Sequence, residues 1–389
     1  MQYDMGMRKN ILVAIAIAIV SLVVFWSPFL LKADKLWGIE LKDHSMQTIV
    51  ANFDGINFLI VAKSLYNQGI IETDYPSILS GRVNLYFSAH YPGFPLMIRA
   101  FDIFLSGPNA LLAAIALSNI LLSVALYYLY QKITPKGKGA LYLTALALFI
   151  PARMLSMRTV GSNESLFIFF VLTSLLLSSN KKYWLSGIAG AGAVLTRSPG
   201  ILLMFAYAVP LLANLKKKNK IDWKSYLPYL LIPLALVSLW IFYGLRFGDF
   251  LAYFKVGGNI NLYFPPFMTF GSNFDWISGM WLEDIIYTYL FYGVGILLFF
   301  QHQIKKNKSL AVLGYFALIY YTMTLFIVHR DIARYSLPIA PIVIAGYAPF
   351  IQSKYLKYAL VALIVPIYLY AWNFILNNVQ PVMDWSAFL

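Results

Sequence analysis

The sequence predicts an all-α polytopic membrane protein, and three observations carry that expectation. Of its 389 residues 60% are hydrophobic and only 12% are charged, with a mean hydropathy of +0.69; soluble globular domains carry about a quarter charged residues. Apolar runs of about 20 residues, the length that crosses a bilayer core, recur along the whole chain. No long polar block interrupts them, so residues 1–389 read as a single integral membrane domain. Cysteine is absent, which excludes a disulfide framework, a thiolate metal site and a cysteine nucleophile.

The first apolar run spans 10–31. It is too long for a signal peptide, and Trp26-Ser27-Pro28 makes a poor cleavage site, so it reads as an uncleaved first helix. Residues 32–106 form a long first outer loop and interfacial segment, and its polar stretch 32–90 holds Asp34, Glu40, Asp43, Asp54, Glu72 and Asp74, six of the 16 acids. Within it, Asn52 to Tyr66 reads as an amphipathic helix with Phe53, Ile56, Leu59, Ile60 and Tyr66 near one face and Gly69 as its stop. Residues 91–106 are apolar but broken by Pro92, Gly93, Pro95, Arg99 and Asp102, which suits an interfacial or re-entrant segment. Spans are then expected at 108–131, 139–155, 163–180, 184–196, 199–215, 226–245, 282–303, 310–328, 335–351 and 357–376. With the first helix that makes about eleven. In the 184–196 span the small residues Gly187, Gly190 and Ala191 suit close helix packing.

Charge sets the expected orientation. With the N-terminus inside and 91–106 not crossing, the inside loops hold Lys132, Lys136, Lys138, Lys181, Lys182, Lys216, Lys217, Lys218, Lys220, Lys224, Lys305, Lys306, Lys308, Lys354 and Lys357. Adding Arg8 and Lys9 gives 17 of the 30 basic residues, against only Asp4 and Asp222. Lysine-rich loops mark the cytoplasmic side. The +14 net charge is thereby explained by topology, and a nucleic-acid partner is not called for. Eight of the nine arginines fall on the opposite side: Arg82, Arg99, Arg153, Arg158, Arg197, Arg246, Arg330 and Arg334. Orientation argues against them there. A guanidinium fork suits phosphate oxygens, so an anionic ligand at the outer face is expected, with pairing to outer acids or lipid headgroups as the structural alternative.

Asp54 is the candidate chemical centre, as a general base held at the membrane surface; the alternative is a helix cap followed by an Asp-Gly turn. Glu164 opens a span, where capping is again the alternative. His329-Arg330-Asp331-Ile332-Ala333-Arg334-Tyr335 is a dense polar turn. Arg330 and Arg334, spaced i,i+4, would share a face if it were helical, which suits two oxygens of one phosphate. The histidines His44, His90, His302 and His329 lack ligand spacing, so no metal ligands are assigned. An outer acid could still join Asp54 around a divalent cation. No dinucleotide fingerprint, P-loop or zinc-protease helix is present.

Four stretches occur in an order that resembles a known family. They are Phe53-Asp54-Gly55 with Asn57-Phe58-Leu59-Ile60 after it, His90-Tyr91-Pro92-Gly93-Phe94-Pro95-Leu96-Met97-Ile98-Arg99, Asn163-Glu164-Ser165-Leu166-Phe167, and Arg330-Asp331-Ile332-Ala333-Arg334-Tyr335-Ser336-Leu337-Pro338. Thr196-Arg197-Ser198-Pro199-Gly200 is a fifth, weaker match. Together, over about residues 45–341, they resemble polytopic glycosyltransferases of the GT-C superfamily, most of all the mannosyltransferase group of the GPI second mannosyltransferase and its prokaryotic relatives. The Trp-Trp-Asp-Tyr-Gly motif of oligosaccharyltransferases is absent, and the chain is short for the group.

The resemblance implies an inverting hexosyltransferase at the non-cytoplasmic face. A polyprenyl-phosphate sugar, such as the mannose derivative, would be the donor. A lipid-linked glycan, glycolipid or protein would be the acceptor, with membrane lipids around both. Asp54 would be catalytic. His90, Tyr91, Arg158, Glu164, Arg197, His329, Arg330 and Arg334 would bind substrate. The loop 246–281, with Tyr253, Tyr263, Phe264, Phe267 and Trp276, would cover the site. The competing expectations are a flippase or transporter of lipid-linked glycans, which should show mid-membrane charges and repeated halves, and a non-catalytic subunit of a membrane complex.

Overall fold

The computed structural model describes residues 2–76, 84–134, 137–218, 222–256, 262–271, 274–380, 382 and 384–389. Arg82, Lys136 and Lys220 lie outside the described residues, as do 257–261 and 272–273 of the expected covering loop. Among the described residues the chain is helix after helix, with one two-stranded antiparallel pairing, Lys35–Leu36 on Ile39–Glu40.

Among the described residues six helices are long and apolar enough to cross a membrane: Gly6–Leu30, Gly107–Ile133, Ser198–Lys216, Trp223–Phe247, Gly279–Ile304 and Lys354–Leu376. The chain is therefore an integral, multi-pass membrane protein. The expected span at 139–155 is a bent pair, Lys138–Ala147 and Ala152–Arg158, meeting at 76°. Those expected at 163–180, 184–196, 310–328 and 335–351 coincide with shorter helices, Glu164–Ser179, Tyr183–Thr196, Ala311–Thr324 and Ala340–Ile351. The Gly93–Asp102 helix has ten residues. At 1.5 Å per residue it is about half the length of a span.

Gly107–Ile133 is the central helix. It packs on the first helix, on Gly93–Asp102, on Gly137–Ala147 and on Glu164–Ser179. Two apolar clusters meet along it. One is built on the first helix and on Glu164–Ser179 and Ala340–Ile351. The other is built on Gly55–Ser64 and Gly93–Asp102, and lies under the loop that bears Asp54.

Two expectations are corrected here. The helix expected over 52–66 forms over Gly55–Ser64, and it is not amphipathic: Asn57 and Ser64 are buried together with Ile56, Phe58, Leu59 and Ile60. Neighbouring helices cover its polar side as well as its apolar one. Arg99, expected among the anion-binding arginines, instead donates to the carbonyls of Ala62 (2.8 Å) and Lys63 (3.3 Å) at that helix's C-terminus, where those groups lack intrahelical partners.

The backbone ahead of this helix is set by a glycine pair. A Cβ on Gly55 would stand 2.1 Å from the Val50 carbonyl oxygen, and one on Gly161 would stand 2.4 Å from the Gly55 Cα. Only glycine at both positions lets the two chain segments cross this closely. The crossing brings Asp54 and Glu164 toward each other.

Arg158 is also corrected. It was expected to bind substrate, yet it is 1% exposed and its guanidinium is fully committed within the bundle. Nε donates to the Leu148 carbonyl (2.8 Å), Nη1 to Asn119 Oδ1 (2.8 Å) and Nη2 to Ser21 Oγ (2.7 Å). It fastens the first helix, the central helix and both arms of the bent pair to one another. Replacing Arg158 with Leu strands these buried acceptors at about 1–3 kcal/mol each. We expect Arg158→Leu to lower the thermal midpoint of unfolding in detergent and Arg158→Lys, which keeps the charge without the fork, to recover only part of the loss.

Candidate active site

A pocket of about 670 Å³ opens among helix ends. Asp54 and His90 reach it from the first long loop, Arg153 from the bend of the broken pair, and Asn163 and Arg197 from the ends of two neighbouring helices. His329, Arg330, Asp331 and Arg334 come from the later polar turn, and residues 377–380 from the end of the last helix. Segments far apart in the chain thus converge on one cavity. Among the described residues four arginines line it against two aspartates.

Asp54 precedes the Gly55–Ser64 helix but its side chain makes no cap hydrogen bond, so the capping alternative is not realised. The residue before it, Phe53, is held at φ 50°, a left-handed conformation that costs a non-glycine residue about 1–3 kcal/mol. The side chain is 31% exposed, so it is reachable from the cavity. Arg334 Nη2 lies 3.2 Å from its Oδ2, and His90 Nε2 lies 3.7 Å from its Oδ1. Burial raises the Asp54 carboxyl, but His90 and Arg334 outweigh burial and hold it well below the usual carboxylate range.

Glu164 lies behind this pair. At 1% side-chain exposure it has no access to water, and both Arg197 Nη1 and Arg334 Nε bond its Oε1, the latter at 2.5 Å. Asn163 is the residue at the cap position. Its Nδ2 donates to the Thr196 carbonyl (2.8 Å), which ties the Glu164 helix to the strand of chain that carries Arg197. The result is a chain of alternating charges, Asp54, Arg334, Glu164 and Arg197. Arg334 stays protonated: burial lowers it, but Glu164 and Asp54 raise it well above its ordinary value.

Arg153 pairs with Asp331 at 3.2 Å and lies 3.6 Å over the Phe374 ring, a cation–π contact. Arg330 is different. It is exposed, it lines the pocket, and among the described residues its guanidinium has no ion pair. The shared helical face expected for Arg330 and Arg334 does not form, because the helix starts only at Ile332; the two nevertheless line one cavity.

His90 and Tyr91 are both nearly buried. The His90 ring packs edge-on against Phe58 at 5.3 Å, and its buried Nδ1 has no hydrogen-bond partner. Tyr91 meets Tyr253 edge-on at 5.3 Å, which makes it a wall of the pocket. His329 Nδ1 accepts from the Asp331 amide at 3.0 Å, which holds the polar turn in shape. Of the expected covering loop, Tyr253 lines the pocket, while Phe264 and Phe267 are exposed. Among the described residues no three His, Asp or Glu side chains gather to hold a metal. The pocket's own carboxylates, Asp54 and Asp331, each already face an arginine.

The sequence reading missed Asn377, Asn378, Val379 and Gln380. They end the last helix, and nothing in their local pattern tells a site from an ordinary helix end. The chain matches no family model and no curated protein.

Removing the Glu164 charge leaves two buried guanidinium groups without their shared counterion, and breaking a buried ion pair costs about 3–5 kcal/mol. We expect Glu164→Gln to lower unfolding stability in detergent by that order, and Asp331→Asn, which frees only Arg153, to cost clearly less.

Proposed function

We propose that this protein is a membrane glycosyltransferase that moves a sugar, in the first instance mannose, from a polyprenyl-phosphate donor to a hydroxyl of a lipid-linked glycan, glycolipid or protein acceptor. The observation that carries the reading is the charge balance of the pocket. Arg153 is neutralised by Asp331, and Arg197 and Arg334 by Glu164 and Asp54. Arg330 remains without a carboxylate among the described residues. A sugar phosphodiester carries one negative charge, which matches one unpaired guanidinium, and the fork geometry suits its oxygens.

The expected topology supports the same reading. In that expectation of eleven spans the pocket residues fall on the side away from the lysine-rich loops; among the described residues six of the segments are long and apolar enough to cross and a seventh is the bent pair. The reading is thus of a site at the non-cytoplasmic face, served by a donor whose prenyl tail lies in the bilayer.

Single displacement then follows from the residues present. Arg330, with Arg334, holds the donor phosphate. Asp54 takes the proton of the acceptor hydroxyl. The acceptor oxygen bonds the anomeric carbon from the face opposite the phosphate, the bond to the phosphate oxygen breaks, and its electron pair leaves with the prenyl phosphate. The configuration inverts. The leaving group is already a weakly basic anion, so guanidinium charge stabilises it without a second carboxylic acid. In the resting site Asp54 is a poor base, because Arg334 clamps its carboxylate. A donor phosphate that engages Arg334 loosens that clamp and restores basicity where the proton must go.

The test is transfer by the purified protein, with a radiolabelled prenyl-phosphate mannose and candidate acceptors in liposomes. Label joined to acceptor is expected, with activity reduced about 10²–10⁴-fold in Asp54→Asn and donor KM raised about 10- to 100-fold in Arg330→Ala, the loss of a charge-assisted hydrogen bond. Label that crosses the bilayer but never joins an acceptor would mean transport instead.

The pH dependence has a definite sign. The active form of Asp54 is the carboxylate, and Arg334 helps to hold its pKa low, so the wild type keeps that form well into acid. Arg334→Gln removes the cation and lets the pKa rise, and the acid limb of kcat/KM should move to higher pH. An unmoved limb in Arg334→Gln would detach Asp54 from the titration.

A further inference from the structure

Beyond the charged residues, the pocket has a neutral edge made by the end of the last helix. Asn377, Asn378, Val379 and Gln380 all line the cavity. Their position is fixed by backbone pairing with the segment that carries Asp54. Asn52 and Val379 form an antiparallel bridge, the Gln380 amide donates to the Ala51 carbonyl (2.7 Å), and the Phe53 amide donates to the Asn378 carbonyl (3.3 Å). Buried Asn52 adds a bond from its Nδ2 to the Ile375 carbonyl at 2.7 Å. The strip therefore stands beside the candidate base.

Its side chains have hydrogen-bonding capacity to spare. Asn377 and Asn378 each use Nδ2 to cap a carbonyl of the last helix, at 2.9 Å and 2.7 Å, and among the described residues their Oδ1 atoms take no hydrogen-bond partner. Among the described residues the Gln380 side-chain amide makes no hydrogen bond. Beside them the Phe53 and Phe374 rings stack at 5.7 Å and line the cavity, with Arg334 5.0 Å over Phe53 and Arg153 3.6 Å over Phe374, so the hydrogen-bonding capacity of this edge rests on the amides. Uncharged amides that can donate and accept suit the hydroxyls of a carbohydrate. The free Oδ1 acceptors of Asn377 and Asn378 do not suit a phosphate, for which the arginines already provide.

Building on the glycosyltransferase reading, we infer that Asn377, Asn378 and Gln380 form a carbohydrate-hydroxyl subsite beside Asp54 that sets which sugar the enzyme accepts. The hydroxyls belong either to the sugar being transferred or to the acceptor, and kinetics separate the two.

The experiment uses the full-length protein, a short-chain prenyl-phosphate mannose as donor and octyl mannoside as acceptor, each also supplied as deoxy analogues lacking one hydroxyl. Asn378→Ala, Gln380→Ala and the double variant are compared with wild type. Loss of a neutral hydrogen bond should raise KM about two- to tenfold per residue and abolish discrimination against the analogue that lacks the partnered hydroxyl. The donor series responding assigns the subsite to the transferred sugar, and the acceptor series responding assigns it to the acceptor. A merely structural role would lower activity on every analogue alike and leave discrimination intact. That outcome, or wild-type KM in all variants, overturns the subsite while wild-type transfer upholds the enzyme reading. A wild type that transfers to no acceptor overturns both.

Discussion

Glu164 is the constraint around which the site is arranged. A carboxylate with almost no access to solvent must find its compensation in the protein, and it finds two guanidinium groups, from Arg197 and Arg334. Each arrives on a different segment, so satisfying one charge docks the end of the Tyr183–Thr196 helix and the later polar turn against the start of the Glu164–Ser179 helix. Arg334 has a second end, and that end reaches Asp54. The Gly55–Gly161 crossing brings the two acids close enough for one guanidinium to span them. Take away Glu164 and the remaining partners have no common point to converge on.

This arrangement also explains why arginine occurs where topology would disfavour basic residues. Lysine is a single hydrated point charge and could not bond Glu164 through one nitrogen and Asp54 through another. Arg153 shows a second use of the planar group, as it faces Phe374 while pairing with Asp331. Most of the cavity's positive charge is structural. Among the described residues Arg330 is the pocket arginine outside these ion pairs, and its backbone is held in place: its carbonyl accepts from Trp281 Nε1 at 3.0 Å.

The helical membrane class was legible because composition and run length decide it directly. Asp54 and the span-end arginines were legible as candidates because they are charges in places where charge needs a reason. Their pairings were not, since Arg334 stands 170 residues from Glu164 and 280 from Asp54, and no periodicity encodes a contact that remote. Periodicity identified the apolar side of the Gly55–Ser64 helix but said nothing about whether protein or water would cover Asn57. Arg158 looked like its neighbours at other span ends; the 76° break in its helix pair is what turns it into the interior. The amides at 377–380 were invisible because asparagine at a helix end is ordinary, and only the pairing with residues 51–53 makes it a wall of the cavity.

The three-way bonding of Arg158 has a consequence for how the chain enters the bilayer. An isolated arginine in a short apolar segment partitions poorly into lipid, at a cost of about 2.5–3.5 kcal/mol on insertion scales. Its partners here are Ser21, Asn119 and the Leu148 carbonyl, and all of them precede it in the sequence. Every acceptor has thus been synthesised before the cation emerges. The first helix and the central helix can wait beside the translocon as a ready polar receptacle, and the bent pair can leave for lipid with its charge already masked. The last helix, which packs on the Ala152–Arg158 arm, then completes the burial of a cation whose hydrogen-bond acceptors were made before it.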